Sequence, residues 1–195
     1  MDIFARPDAP SPDLLANLGP LRSLAGTWEG SEGLDTAPDV HGPVETRFRE
    51  RLVLEPCGPI VNGPQVLYAL RYATTAWPLG QQEPFHEEVG YWLFEPAAQQ
   101  LMRCFTVPRG VTLIAGGSAQ RDVRSFELTA EAGASTFGIL QSPFLESAFR
   151  TLRYDLQVEI EGDDTFAYTE VPVMRLHDQD EDFHHTDRNR LQRIA

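Results

Sequence analysis

The chain has 195 residues, a formal net charge of −13, and 42% hydrophobic and 23% charged residues. That acidity repels nucleic-acid phosphates and anionic lipid, so neither nucleic acid nor membrane is expected as a partner. No run approaches the ~20 apolar residues that span a bilayer, and the N-terminal MDIFARPDAPSPD lacks the basic and apolar regions of a signal peptide, so a cytoplasmic protein is expected.

Residues 1–12 hold three prolines and read as a loose lead-in, leaving 13–195 as one domain with a sizeable core. In PDLLANLGPLRSLAG, Leu14, Leu15, Leu18 and Leu21 recur at helical spacing, with Ser11 or Asp13 as cap and Gly19-Pro20 as stop. A short N-terminal helix is predicted, placed as a plug against something larger. Beyond it the period becomes two. VETRFRERLVLEP (44–56) sets Val44, Thr46, Phe48, Glu50, Leu52 and Leu54 on one face. VLYALRYAT (66–74), VGYWLFEP (89–96), LMRCFTVP (101–108), VTLIAGG (111–117), SFELTAEA (125–132) and STFGILQS (135–142) follow. RTLRYDLQVEIEG (150–162) and TFAYTEVPVMRL (165–176) complete the series. With the segment around Trp28 and the tail, this makes about ten short strands separated by turn signals. The connections are mostly tight, whereas a sandwich needs longer Greek-key crossings. The predicted fold is therefore all-β: a ten-stranded antiparallel up-and-down barrel. Such a ring encloses room for a small ligand.

Several chemistries find no support. Cys57 and Cys104 lie far apart without CxxC spacing and read as reduced thiols. TVPRGVTLIAGG is glycine-bearing but lacks the GK[ST] ending and the helix of a phosphate loop. GxSxG and HExxH are both missing, which speaks against a conventional hydrolase.

LAGTWEGSEG (24–33) is the most distinctive opening. Trp28 offers a plate to close one barrel end, and Gly30 and Gly33 let the strand bend around it. Near the other end of the chain, EDFHHTDRNRLQRI carries His184 and His185, which face opposite ways on a strand. Phe183, His185, Asp187, Asn189 and Leu191 share the face with an apolar residue at each end, so His185 is the inward candidate. A neutral imidazole there suits iron, with Asp187 or a backbone carbonyl orienting its second nitrogen. A buried histidine bonded to Asp187 without metal is the plainer alternative. His86, in FHEEVGYW, belongs to a pocket's far side or rim, while its neighbours Glu87 and Glu88 point apart. Arg150 extends the apolar face of Leu152, Tyr154, Leu156, Val158 and Ile160 toward a barrel mouth, where a guanidinium grips a carboxylate. An ordinary surface arginine fits equally.

The Gly-x-Trp opening resembles the calycin group of ligand-binding barrels, and that resemblance implies a closing arginine, here Arg193, stacked on Trp28. GTWEG, FHEEVGYW (85–92) and FHHTDRNRLQRI (183–194) together resemble more closely the nitrobindin-like (THAP4-like) haem-binding barrels, and in order they reach from residue 24 to the C-terminus. The resemblance implies a barrel holding haem b with His185 on the iron and Arg150 available to a propionate. It further implies reaction with nitric oxide and isomerisation of peroxynitrite to nitrate. Two spacings depart from the family pattern: the glycine spacing in GTWEGSEG is one longer than the commonest, and the leucine that follows the ligand histidine by five positions is here Leu191, six beyond His185, so that counting five back from it lands on Thr186. A one-residue bulge would absorb the latter. The alternatives are a non-enzymatic lipocalin-like carrier of a fatty acid, with Arg150 at the carboxylate, and a barrel filled by its own side chains. The acidic surface is compatible with a homodimer.

Overall fold

The computed structural model describes residues 2–7 and 9–195. Its twelve strand segments are β1 (Gly26–Ala37), β2 (Val44–Asn62), β3 (Gln65–Pro78), β4 (His86–Glu95), β5 (Gln100–Val107), β6 (Val111–Ser118), β7 (Ser125–Ala132), β8 (Gly138–Gln141), β9 (Phe149–Ile160), β10 (Thr165–Leu176), β11 (Phe183–His184) and β12 (Thr186–Arg193). Ten of them close a ring of antiparallel neighbours in the order β10-β12-β1-β2-β3-β4-β5-β6-β7-β9, with β9 returning to β10. Consecutive strands lie side by side, so the predicted all-β up-and-down barrel is the observed fold. The short β8 pairs with both β6 and β7, and two-residue β11 extends the end of β10.

Helix is scarce because the hydrophobic period is two nearly everywhere. α1 (Leu14–Asn17) is capped by Asp13, whose carboxylate accepts from the Ala16 N–H at 3.0 Å, and a 3₁₀ segment continues through Gly19–Leu24. Leu18, Leu21 and Leu24 from this segment are fully buried against the barrel's first end, the expected plug. Gly19 takes φ +57° there, and a Cβ would meet the Phe94 ring at 2.5 Å, so only glycine fits this turn. α2 (Pro143–Ala148) was not anticipated, although Ser142 as N-cap and Pro143 in the first turn are its sequence signal. The strand expected over 135–142 is shorter, the four residues of β8: residues 135–137 form a bend before it, and Ser142 serves as the cap of α2.

At the same end, Trp28 is buried and its indole N–H donates to the Leu24 carbonyl at 2.8 Å. Phe166 meets it edge-on at 4.8 Å between centroids, and the Arg193 guanidinium lies 4.3 Å from the ring centre. The expected arginine–tryptophan stack is present, and Arg193 also donates to the Ser23 and Ala25 carbonyls. Beyond Trp28, β1 shifts register between Gly30 and Gly33, which turns the strand as the glycines suggested. Among the described residues, no helix is long and apolar enough to cross a membrane.

Candidate functional site

Alternation along the strands decides what enters the lumen. Around Trp28 the inward residues are apolar: Leu54, Leu70, Phe94, Leu101, Ile160, Phe166 and Leu191. Further along the same strands they become polar. Glu50 follows Leu52 on β2, Tyr72 and Thr74 follow Leu70 on β3, and Glu88 and His86 follow Trp92 on β4. Arg103 follows Leu101 on β5, Glu170 and Tyr168 follow Phe166 on β10, and Asn189 and Asp187 follow Leu191 on β12. The barrel therefore has an oily half and a charged half.

Arg103 is the centre of the charged half. It pairs with Glu88 and with Glu170, its Nε donates to the Tyr72 hydroxyl at 3.1 Å, and its Nη1 donates to the Tyr154 hydroxyl. Tyr72 in turn donates to Glu88 at 2.7 Å. The guanidinium carbon also lies 4.7 Å from the Phe105 ring centre and 5.0 Å from that of Trp92, within cation–π range. A second knot surrounds Glu50, which accepts from Thr74 at 2.7 Å, Tyr168 at 2.8 Å and Asn189 at 3.0 Å.

The electrostatics follow from burial and partners. Burial alone would raise the Glu88 carboxyl, but the Arg103 charge, helped by His86 and Tyr72, holds it down at about 2 from an ordinary 4.5. Burial lifts Glu50 despite its three donors. Asp187 is pushed well above the usual carboxyl range by burial and then by the facing carboxylates of Glu170, Glu50, Asp35 and Glu88. Burial pulls the His86 imidazole down, yet Glu88, 3.6 Å away, outweighs it and the net shift is upward. Two carboxyls on one cavity are thus driven in opposite directions, one toward a fixed anion and one toward a neutral acid.

A pH dependence follows for Glu88. Its folded value lies below its unfolded one, so its contribution to stability is complete above pH 4.5 and is lost as pH falls toward about 2. In Glu88→Gln the acid side of a plot of urea midpoint against pH should flatten over that window, while the midpoint at neutral pH drops. An unchanged acid limb would refute the assignment.

The predicted site residues fall in different places. His185 lies on the inner face, at the end opposite Trp28. Its Nε2 is 2.5 Å from Asp35 Oδ1 on β1, and its backbone N–H donates to the Pro172 carbonyl at 3.0 Å. Pro172 has no N–H to return, which is why β11 stops at His184 and β12 begins at Thr186. The register against β10 is the same on both sides of the gap, so the tail is one strand, as expected. Asp35, rather than Asp187, is the ring's partner. With a carboxylate as acceptor, the proton sits on Nε2. Arg150 is not brought to the lumen: it is half exposed and pairs with Glu146 of α2 at 3.0 Å. The register between β9 and β10 slips between Val173 and Met174, leaving Leu152 as an extra residue and turning Thr151, not Arg150, inward.

What the charged half leaves open is a cavity of about 30 Å³, lined by Glu50, His86, Trp92, Arg103, Glu170 and Asp187 among others. The Trp92 indole N–H and Asp187 Oδ1 are buried there without a hydrogen-bond partner among the described residues. Cofactor and small-molecule pockets occupy roughly 300–1,000 Å³ and are mostly apolar. The interior therefore does not fit haem b: the space is an order of magnitude too small, its walls are charged, and Nε2 of the candidate ligand is already engaged. A fatty acid meets the same obstacle.

A family model described as "THAP4-like, heme-binding beta-barrel domain" matches residues 17–193. No curated protein matches the chain. Among solved structures, the crystal structure of Rv2717c from M. tuberculosis is similar, at 24% identity and a TM-score of 0.65, over 96% of this chain and 100% of that one. At that identity the likeness speaks for the fold. The family match spans nearly the whole barrel from the α1 boundary to the end of β12, and the chain belongs to the THAP4-like haem-binding β-barrel family.

Proposed function

We propose that this barrel binds a compact polar molecule in the cavity between Trp92 and Asp187. The observation that carries the reading is the pair of buried, unpartnered atoms on that cavity, one donor and one acceptor. Buried polar groups are normally paired, and leaving one unpaired costs roughly 1–3 kcal/mol. A molecule that accepts from the indole N–H and donates to the carboxyl relieves both. At about 10–15 Å³ per water-sized occupant, the space takes one or two non-hydrogen atoms beyond a single water. Arg103 and His86 on one side and Glu50, Glu170 and Asp187 on the other suit a ligand with both donor and acceptor character.

The finer activity implied by the resemblance, nitric oxide binding and peroxynitrite isomerisation on a His185-ligated haem iron, needs a macrocycle for which the filled interior leaves no room. The test of the compact-ligand reading is the Trp92 indole N–H resonance, followed while methanol, formamide and hydroxylamine, each with a donor and an acceptor, are titrated in turn. At least one probe should shift that resonance saturably, and Trp92→Phe should weaken its binding by tenfold or more. Indifference of the indole signal to all three overturns the reading.

A further inference from the structure

The ring has ten strands, and β4 and β10 stand five places apart in it, on opposite walls. Glu88 belongs to β4 and Glu170 to β10, yet both pair with the one guanidinium of Arg103, which comes from β5. Tyr72 of β3 and Tyr154 of β9 complete the clamp. A single side chain therefore joins both sides of the lumen. A planar macrocycle and this bridge require the same space.

We propose that Arg103, clamped by Glu88 and Glu170, is the built-in occupant of this barrel, and that the chain accordingly takes no haem through His185. This goes beyond the compact-ligand reading, which concerns the remainder of the lumen, and stands or falls separately from it. The bridge is self-locking. A guanidinium drawn into a ring of aromatic side chains needs counter-charge, and two carboxylates buried against each other need a cation; removing any one member strands the others. Haem entry would have to separate both ion pairs; a propionate can take the place of a carboxylate on Arg103, but the macrocycle offers Glu88 and Glu170 no cation in exchange. It would also have to detach Asp35 from His185 Nε2. The family's ligand end persists in outline, with an inward histidine near the C-terminus, while the volume behind it has been given to protein.

Absorbance titration with hemin, run on the full chain, is the direct test. Wild type should give no sharp, shifted Soret band saturating at one equivalent, and His185→Ala should behave identically. A one-to-one Soret band that His185→Ala abolishes overturns the proposal, whatever the variants do. In the triple variant Arg103→Ala/Glu88→Ala/Glu170→Ala the whole bridge leaves together, so no charge is stranded. Provided circular dichroism shows it folded, it should bind the apolar fluorophore 1-anilinonaphthalene-8-sulfonate at least tenfold more tightly than wild type. A folded triple variant with wild-type affinity overturns the proposal. If that variant does not fold, the Arg103 guanidinium resonances of wild type decide: slow exchange with solvent at neutral pH is expected, and rapid averaged exchange overturns the clamp.

Discussion

Arg103→Leu is expected to destabilise the barrel by roughly 3–5 kcal/mol, the range found when one partner of a buried ion pair is removed. The loss should show as a drop in Tm on the order of 10 °C for a chain of this size. The physical cause is less the lost attraction than what remains: Glu88 and Glu170 held within the barrel with their shared cation gone. Leucine replaces the hydrophobic stem well enough that packing alone would cost little. The cause is identified by partial rescue. Adding Glu88→Gln and Glu170→Gln to Arg103→Leu should recover a large part of the loss, because neutral amides tolerate burial better than orphaned carboxylates. If the triple variant is as unstable as the single one, the effect is packing and the electrostatic account is wrong.

Trp28→Ala should cost a comparable amount, about 3–5 kcal/mol, for a different reason. Trp28 is 1% exposed and joins three otherwise separate parts of the chain: the Leu24 carbonyl of the plug, the Phe166 ring of β10, and the Arg193 guanidinium of β12. Its removal leaves a cavity at the junction and frees Arg193 from its aromatic surface. Trp28→Phe, which keeps the plate and loses the donor, should cost markedly less. As a reference, Leu140→Ala at a position 73% exposed should stay within about 0.5 kcal/mol. Urea midpoints measured side by side give all three. Near-equal effects of Trp28→Ala and Leu140→Ala would remove Trp28 from its central role.

The barrel was legible because alternation is a strong signal over ten strands, and Gly-x-Trp fixed where it begins. The contents of the lumen are only partly legible. Glu50 sits in phase with Phe48 and Leu52, Arg103 with Leu101 and Phe105, and Glu170 with Phe166 and Tyr168, so the period placed each charge inside. What the sequence could not convey is that charges of opposite sign on opposite walls would reach one another and fill the hollow. Pairing across a ring depends on curvature and strand count, not on any local pattern. Arg150 shows the complementary difficulty. The apolar face from Ile160 back to Leu152 is regular, and one extra residue opposite Met174 reverses it. His185 was aimed correctly by the same alternation, but its partner Asp35 lies 150 residues away in the chain, beyond the reach of any spacing argument. Asp187 lies nearer in the chain and on the same face, yet one of its oxygens has no hydrogen-bond partner among the described residues.

The ring closes by joining β12 to β1, and the Arg193–Ala25 contact that helps seal it spans 168 residues of sequence. At a synthesis rate of about 5–20 residues per second, β1 emerges from the ribosome on the order of ten to thirty seconds before its second neighbour exists. Throughout that interval one edge of the growing sheet is open and Trp28 lacks its arginine cover. Closing the ring therefore waits on the synthesis of β12, and a nascent chain stalled before β12 should recruit chaperones that one already carrying β12 does not.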